Sequence, residues 1–398
     1  MTLSERVKQR GLEIGFNLVG VAPADVWNDL EFARQWVEAG YGGEMHYLSN
    51  PKRHDPRTVL PSVQSVVCAA LVYNSPLPYS TQTQPHQHSR GWISRYAWGT
   101  DYHDVMRARL ERLRKGIEVL GPQVETRVYV DTGPVVERAF ARYSGIGWMG
   151  KNTAIINQQK GSWFFLGVVL TNLLLAPDQP AADRCGSCTR CLDACPTAAL
   201  AKPYMMDASR CIAYLTIELK GSIPEPLRPA VGANVFGCDI CQDVCPWNSR
   251  RAEGTREPGR GGAATTDLPE FQPMEIDEPG SAELFYNSAV GDRDEATTNR
   301  RVSEKRNPSF PATPRHRFSL FNPPLRALAS LTEHDFRRVF SRSPLKRAKY
   351  RGWLRNLCVA MGNSGNREFV PWLERAAQAA HPLVAEHARW ALKVIGGS

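Results

Sequence analysis

The sequence predicts a multidomain α+β protein: an N-terminal α/β unit, a small central unit organised by cysteines, a linker and a C-terminal α-helical stack. Three observations carry this prediction. Before residue 178, strand-like and helix-like segments alternate; from Cys185 to Cys245 the cysteines fall into two spaced runs; beyond residue 322 apolar residues recur at helical steps. At 398 residues the chain can build more than one core. Its 42% hydrophobic and 22% charged residues are ordinary, and apolar stretches such as Trp163 to Leu170 fall short of a membrane span. The first residues carry scattered charge and no apolar signal core, so a cytoplasmic protein without a membrane partner is expected.

In the first unit, residues 1–178, strands are expected at 17–22, 65–73, 125–130 and 162–171. The clearest helix follows Asp101, where Val105, Met106, Leu110, Leu113, Ile117 and Leu120 recur at steps of mostly three and four while Arg and Glu fill the other face. A Gln, His, Pro and Ser stretch over 76–90 suits a surface loop, with His86 and His88 solvent-exposed and not metal-binding.

The second unit, residues 179–250, holds most of the chemistry. Ten cysteines in a cytosolic chain are too many to be idle and in the wrong compartment for a disulfide frame. Cys185-x2-Cys188-x2-Cys191-x3-Cys195-Pro is the run that wraps a [4Fe–4S] cluster with three thiolates and sends the fourth, before proline, to a second cluster. The complementary set is Cys238-x2-Cys241-x3-Cys245-Pro with Cys211 upstream. Crosswise ligation gives cluster one as Cys185, Cys188, Cys191 and Cys245, and cluster two as Cys195, Cys211, Cys238 and Cys241. Cys-x2-Cys pairs also bind zinc, but the doubled Cys-Pro ending argues for a two-cluster bacterial ferredoxin-like unit. Cys68 and Cys358, in apolar surroundings, read as core.

Residues 251–322 lose periodicity and read as a linker or insertion. The last unit, 323–398, is helical, with helices expected at 333–340, 344–361, 369–379 and 382–395, and a turn at Gly362 to Gly365. Charge is uneven: 300–356 carries a net +12, leaving −3 for the rest of the chain, while 267–295 holds nine acids against Arg293. A phosphate-binding surface and a solvated basic helix face explain this equally well.

Asp131 follows an apolar strand and precedes Thr-Gly-Pro. It reads either as a site residue emerging at a strand end or as a cap for a helix opening at Pro134.

Taken together, several motifs resemble one family, the epoxyqueuosine reductases. They are Arg95-Tyr-Ala-Trp-Gly-Thr-Asp-Tyr-His103, Val130-Asp-Thr-Gly-Pro-Val-Val-Glu-Arg138, Ser144-Gly-Ile-Gly-Trp-Met-Gly-Lys-Asn152, both cysteine runs, and Ser343-Pro-Leu-Lys-Arg347 leading to Arg355-Asn356. The resemblance implies a nitroreductase-like α/β cobalamin domain, a ferredoxin-like domain and a C-terminal HEAT-like helical repeat. The stretch from about 273 to 321 is longer than the connection the family leads one to expect. The implied activity is that of an oxidoreductase that reduces epoxyqueuosine to queuosine at the wobble position of a tRNA with a GUN anticodon, the last step of making that base. The resemblance further implies that cob(I)alamin opens the epoxide with electrons relayed through two [4Fe–4S] clusters from an external low-potential donor, and a monomer is expected.

By the same resemblance Asp131 is the proton donor, with a carboxyl raised by burial against the corrin so that it holds a proton near neutrality. Base-off cobalamin is expected to touch Arg53, Ser94, Asp131, Asn152 and Asp239. Asp101-Tyr-His103-Asp-Val-Met106 is similar to the mutase loop that gives histidine to cobalt, but its glycine is missing and it opens an amphipathic helix, which argues against ligation by His103. On the basic tract, Arg338, Arg342, Lys346, Lys349 and Arg351 are expected to meet tRNA phosphates, with Lys220 adding a contact near the site.

Overall fold

A computed structural model describes residues 1–25, 28–83, 88–249, 263–278 and 317–397. The four expected strands form at Leu18–Pro23, Ser65–Val72, Thr126–Tyr129 and Phe164–Thr171, and they make one sheet. Ser65–Val72 pairs with Leu18–Pro23 on one side and Phe164–Thr171 on the other; Thr126–Tyr129 pairs with the far edge of Phe164–Thr171. Every pairing is antiparallel, so the strand-end rule for parallel sheets, one reason for singling out Asp131, does not apply here.

Ser65–Val72 is buried along its whole length because both sheet faces are covered. Val67, Ala69 and Leu71 point into one core, while Val66, Cys68, Ala70 and Val72 point into another, the period of two expected of a strand. The first core is roofed by the helices Leu3–Ile14 and Tyr102–Glu118. Val105, Met106, Leu110, Leu113 and Ile117 are buried as the periodicity requires, and Leu120 is half-buried. Gly167 permits this close packing, since a Cβ there would come within 2.5 Å of Leu110 Cδ1. The other face carries the helix Glu137–Tyr143.

The cysteine unit does not stand apart from the rest. A short parallel pairing joins Trp92–Ile93 to Asn234–Phe236, and one core runs from Trp92, Ile93 and Trp98 through Leu215, Val235 and Phe236 to Trp353, Leu357 and Ile395. Parts of the expected linker belong to this body: Glu275–Asp277 pairs with Arg317–Ser319, and Phe271, Ile276 and Phe318 are buried. Turn-forming composition hid this short hairpin-like pairing. The rest of the insertion, 250–262 and 279–316, and His86 lie outside the described residues; His88 is exposed as expected.

The tail forms helices Glu333–Val339, Lys349–Ser364, Val370–Ala377 and Pro382–Gly396. One expected helix, 344–361, is divided. Pro344–Ala348 is a tighter 3₁₀ turn, and Lys349 then takes φ 57°, a left-handed conformation that resets the helix axis. At the other end the helix runs on to Ser364, and Gly365 at φ 64° caps it, so the Gly362 to Gly365 turn is only this cap. No helix among the described residues is long and apolar enough to cross a membrane.

Candidate active site

The cysteines separate into the two expected groups. Cys185, Cys188, Cys191 and Cys245 line one cavity of about 280 Å³ with Lys151 and Asn152. Lys151 fixes its wall, its ammonium donating to Gly186 O at 2.6 Å and Cys188 O at 3.0 Å. The other cysteines are half-buried and lie close to one another: burial, then the charge of Cys241 and Cys211, pushes Cys238 well above the ordinary thiol range. Cys241 is pushed up by burial and then by Cys211, Cys191 and Cys195. Burial and Cys195 act likewise on Cys211. Among the described residues no three Cys, His, Asp or Glu side chains close on one point as a single ion requires. Thiols ranged around a space fit the corners of a cube instead, and cluster ligation would displace their protons. Cys68 and Cys358 are buried in their strand and helix, as core residues.

Asp131 sits in the loop after Thr126–Tyr129 with φ 51°, an unfavourable backbone for a non-glycine residue that the neighbours must hold. It caps nothing: the next helix starts at Glu137 from Val136, with no side-chain cap bond. Its side chain is 57% exposed and its Oδ2 accepts a hydrogen bond from the Tyr102 hydroxyl at 2.7 Å. His103 Nε2 lies 3.5 Å from the same oxygen, and His103 Nδ1 lies 2.8 Å from Asp101 Oδ1. The crowded surroundings act to raise the Asp131 carboxyl, but the neighbouring His103 ring and the hydrogen bond from Tyr102 outweigh this and hold it at about 2. Within the protein alone, these partners keep Asp131 ionised at neutrality. His103 moves the other way. Burial works against its charge, yet the Asp101 and Asp131 carboxylates raise it to about 9.

Around this face stand groups that no single motif contains. Tyr96 packs edge-on to Tyr102, the Arg347 guanidinium lies 5.8 Å from the centre of the Tyr47 ring, and Arg347 pairs with Glu218 through Nε at the limit of close contact and Nη2 at 3.1 Å. Arg53 donates to Gly133 O at 2.7 Å, bracing the loop that bears Asp131. Glu137 is buried beneath it with Oε1 unpartnered, and burial followed by the Asp131 charge raises its carboxyl to about 7.

Of the residues assigned to cobalamin, Arg53 braces the loop that bears Asp131, while the other three bond within the protein. Asp239 is 2% exposed, and its oxygens accept from Trp92 Nε1 at 2.9 Å, the Ser94 hydroxyl at 2.5 Å and the Arg95 amide at 2.8 Å. Both side chains of that Ser94–Asp239 pair are thus used inside the protein, tying the Arg95 motif to the cysteine unit. Asn152 donates to Cys241 O at 3.2 Å and lines the first cluster cavity.

The basic tract also divides. Lys346 is not free: its ammonium lies 2.8 Å from Asp101 Oδ2, bridging the tail to the helix that carries His103. Arg338 is paired with Asp335 at 3.2 Å on its own helix. Lys220 Nζ donates to Ile217 O at 3.1 Å and Arg347 O at 3.3 Å. Arg342, Lys349 and Arg351 are exposed and make no ion pair among the described residues. Sequence reasoning missed the Tyr102 and His103 contacts, although three polar residues at the start of an amphipathic helix were a signal. It also missed the task of Arg355-Asn356. Buried Arg355 donates to Leu215 O, Leu219 O and Gly221 O, and Asn356 to Thr216 O and Val235 O. Together they clamp a π-helical turn, Tyr214–Glu218, next to Cys211.

Comparison with known proteins gives a consistent result. Residues 184–248 match the family model of a 4Fe-4S double cluster binding domain, and residues 53–132 match that of epoxyqueuosine reductase QueG, DUF1730. The chain is 37% identical to the epoxyqueuosine reductase of Pseudomonas aeruginosa over 98% of its own length and 94% of that protein's. It is 34% identical to the epoxyqueuosine reductase of Escherichia coli over 98% and 89%. The solved epoxyqueuosine reductase of Streptococcus thermophilus matches with a TM-score of 0.76 at 29% identity, over 100% of this chain and 91% of that one. A crystal structure of epoxyqueuosine reductase with a tRNA-Tyr epoxyqueuosine-modified stem loop matches with a TM-score of 0.75 at 29% identity, over 99% and 90%.

Proposed function

The chain belongs to the epoxyqueuosine reductase family, and from that membership we propose how its residues carry out the reaction. The enzyme is an oxidoreductase that reduces epoxyqueuosine in tRNA, using two [4Fe–4S] clusters. Cluster one is held by Cys185, Cys188, Cys191 and Cys245, cluster two by Cys195, Cys211, Cys238 and Cys241. The observation that carries the reading is the grouping of the thiols into one set around a cavity and a second set close by, together with an open face where Asp131 is exposed.

That face suits cobalamin. Tyr47, Tyr96 and Tyr102 give it flat apolar surface, Arg53 and Asp131 give it polar groups, and His103 Nε2 is a buried atom still lacking a partner. Bound base-off, cobalamin would supply a strongly reducing, nucleophilic cobalt fed one electron at a time by the clusters. Asp131 stands where a proton must reach the oxygen freed from the epoxide. Asp239, Ser94 and Asn152 support the cofactor indirectly, by joining the Arg95 motif and the Gly-Lys-Asn loop to the cluster unit.

The substrate is a tRNA with a GUN anticodon whose wobble base carries epoxyqueuosine, and the product is queuosine. The base must leave its stack to reach a reacting centre inside the protein. Arg342, Lys349 and Arg351 offer phosphate contacts on the tail, with Lys220 and Arg338 contributing once their internal partners are exchanged for phosphate. The units are a nitroreductase-like catalytic domain over 1–178, a ferredoxin-like domain over 179–250, the insertion over 251–322 and a HEAT-like repeat over 323–398. A monomer in the cytoplasm, drawing on an external low-potential donor, completes the reading.

The test is turnover of an epoxyqueuosine-bearing stem loop by anaerobic, cluster-loaded protein with a chemical reductant, with and without added cobalamin. Mass spectrometry should find loss of one oxygen only when cobalamin is present. Equal conversion without it would remove the cofactor, and no conversion in either arm would remove the reading.

A further inference from the structure

His103 is held from three sides. Its Nδ1 lies 2.8 Å from Asp101 Oδ1, Tyr102 stacks on the ring at 4.1 Å between centroids, and Lys346 holds Asp101 from the tail at 2.8 Å. The remaining ring atom, Nε2, is buried without a hydrogen-bond partner and lies 3.5 Å from Asp131 Oδ2. That gap is slightly long for a hydrogen bond and closes with a small side-chain rotation.

Resting on the function proposed above, we infer that His103 is the proton reservoir of the reaction, passing the proton on its Nε2 through Asp131 to the alkoxide formed from the epoxide. Asp131, ionised at neutrality, brings no proton of its own, whereas His103 is charged there. When the carbon–oxygen bond takes up one electron from the reduced clusters and breaks, the alkoxide formed is a far stronger base than imidazole. The Nε2–H bond breaks as a proton joins Asp131 Oδ2, and the Oδ2–H bond breaks as the alkoxide becomes a hydroxyl. Neutral His103 regains its proton from water. The second electron and proton are consumed as that hydroxyl leaves as water and the alkene closes. Asp131 meets the substrate; His103 acts through it and is a positioning residue.

Charged and titratable groups reach this pair from every side. Asp101 and Tyr102 lie on the same helix start, Lys346 and Arg347 come from the tail, Arg138 and Glu137 lie below the Asp131 loop, and Tyr96 and Tyr47 flank it. None but Asp101 and Asp131 makes an ion pair with His103 among the described residues.

Two measurements test the relay. The first is the pH profile of stem-loop turnover with cobalamin. Wild type should lose activity above about pH 9. His103→Gln should turn over roughly a hundredfold more slowly and lack that alkaline limb, and Asp101→Asn should move the limb to lower pH. A His103→Gln profile that is only scaled down, with its limb in place, overturns the proposal. The second uses cluster-loaded protein without cobalamin, with ¹³C-labelled histidine followed by NMR and His103 identified by its loss in His103→Gln. His103 should keep its proton through neutral pH in wild type and lose it at lower pH in Asp131→Asn. Titration near the ordinary 6.5, or no response to Asp131→Asn, overturns the relay whether or not the stem loop is a substrate. Absent wild-type turnover would instead count against the proposed function alone.

Discussion

The cluster side and the Asp131 side of this enzyme solve opposite electrostatic problems. The thiols of Cys238 and Cys241 sit among other thiols with the Asp239 carboxylate nearby, and burial together with these like charges makes their anionic forms costly until iron is bound. Asp131 and His103 lie at an open face, where opposite charges support each other and both remain ionised. Low-potential electron carriers need a fixed, dry shell that changes little on reduction. Proton delivery needs charged groups that exchange with water and approach a substrate. The two sides meet through the tail: Lys346 reaches Asp101, and Arg355 with Asn356 clamps the turn beside Cys211.

Breaking the closed side should have the largest effect. Cys241→Ser should lose cluster two, lowering iron from about eight per chain toward four and abolishing turnover. Iron analysis and the cluster absorption bands check this; a full iron complement in the variant would mean that Cys241 is not a ligand. On the open side, Asp131→Asn should retain both clusters and lose about 10²- to 10⁴-fold in turnover, since an amide keeps the shape but carries no proton to the substrate. Rates near wild type would leave Asp131 as loop structure only.

The connection between the sides can be weakened separately. Arg355→Met leaves several buried carbonyls without donors and should cost about 3 kcal/mol, read as a lower melting temperature with the clusters bound. An unchanged melting point would show that water replaces the guanidinium. Combined neutralisation of Arg342, Lys349 and Arg351 should weaken stem-loop binding and reduce the salt slope by roughly 0.7 to 0.9 log units per lost phosphate contact. An unchanged slope would confine the RNA to the other units. The smallest effect is on stability with pH. His103 is raised from 6.5 to about 9, so its pairing stabilises the fold fully below pH 6.5 and that contribution fades as pH rises through 9. The melting-temperature difference between wild type and His103→Gln should shrink across that window.

How far the sequence revealed each side follows from the same physics. Thiolate ligands must lie at short fixed spacings to wrap a cube, so Cys185 to Cys195 and Cys238 to Cys245 announce themselves locally. The strands were legible because alternate residues of Ser65–Val72 feed two cores. The open side is assembled from Tyr47, Arg53, Asp101 to His103, Asp131, Glu218 and Arg347, separated by long stretches of chain. No local pattern signals that Lys346 pairs with Asp101, or that Asp239 is saturated by Trp92 and Ser94. Nor does the motif around Asp131 signal the Tyr102 and His103 partners that lower its carboxyl, because they come from a separate helix start.

The division of labour between the two sides is tested most directly by anaerobic reduction of cobalamin-loaded Asp131→Asn, followed by mixing with the epoxyqueuosine stem loop. The account predicts cluster and corrin absorbance changes like those of wild type on reduction, with almost no deoxygenated product afterwards. Failure of the variant to reduce its clusters, or product formed at the wild-type rate, would contradict it.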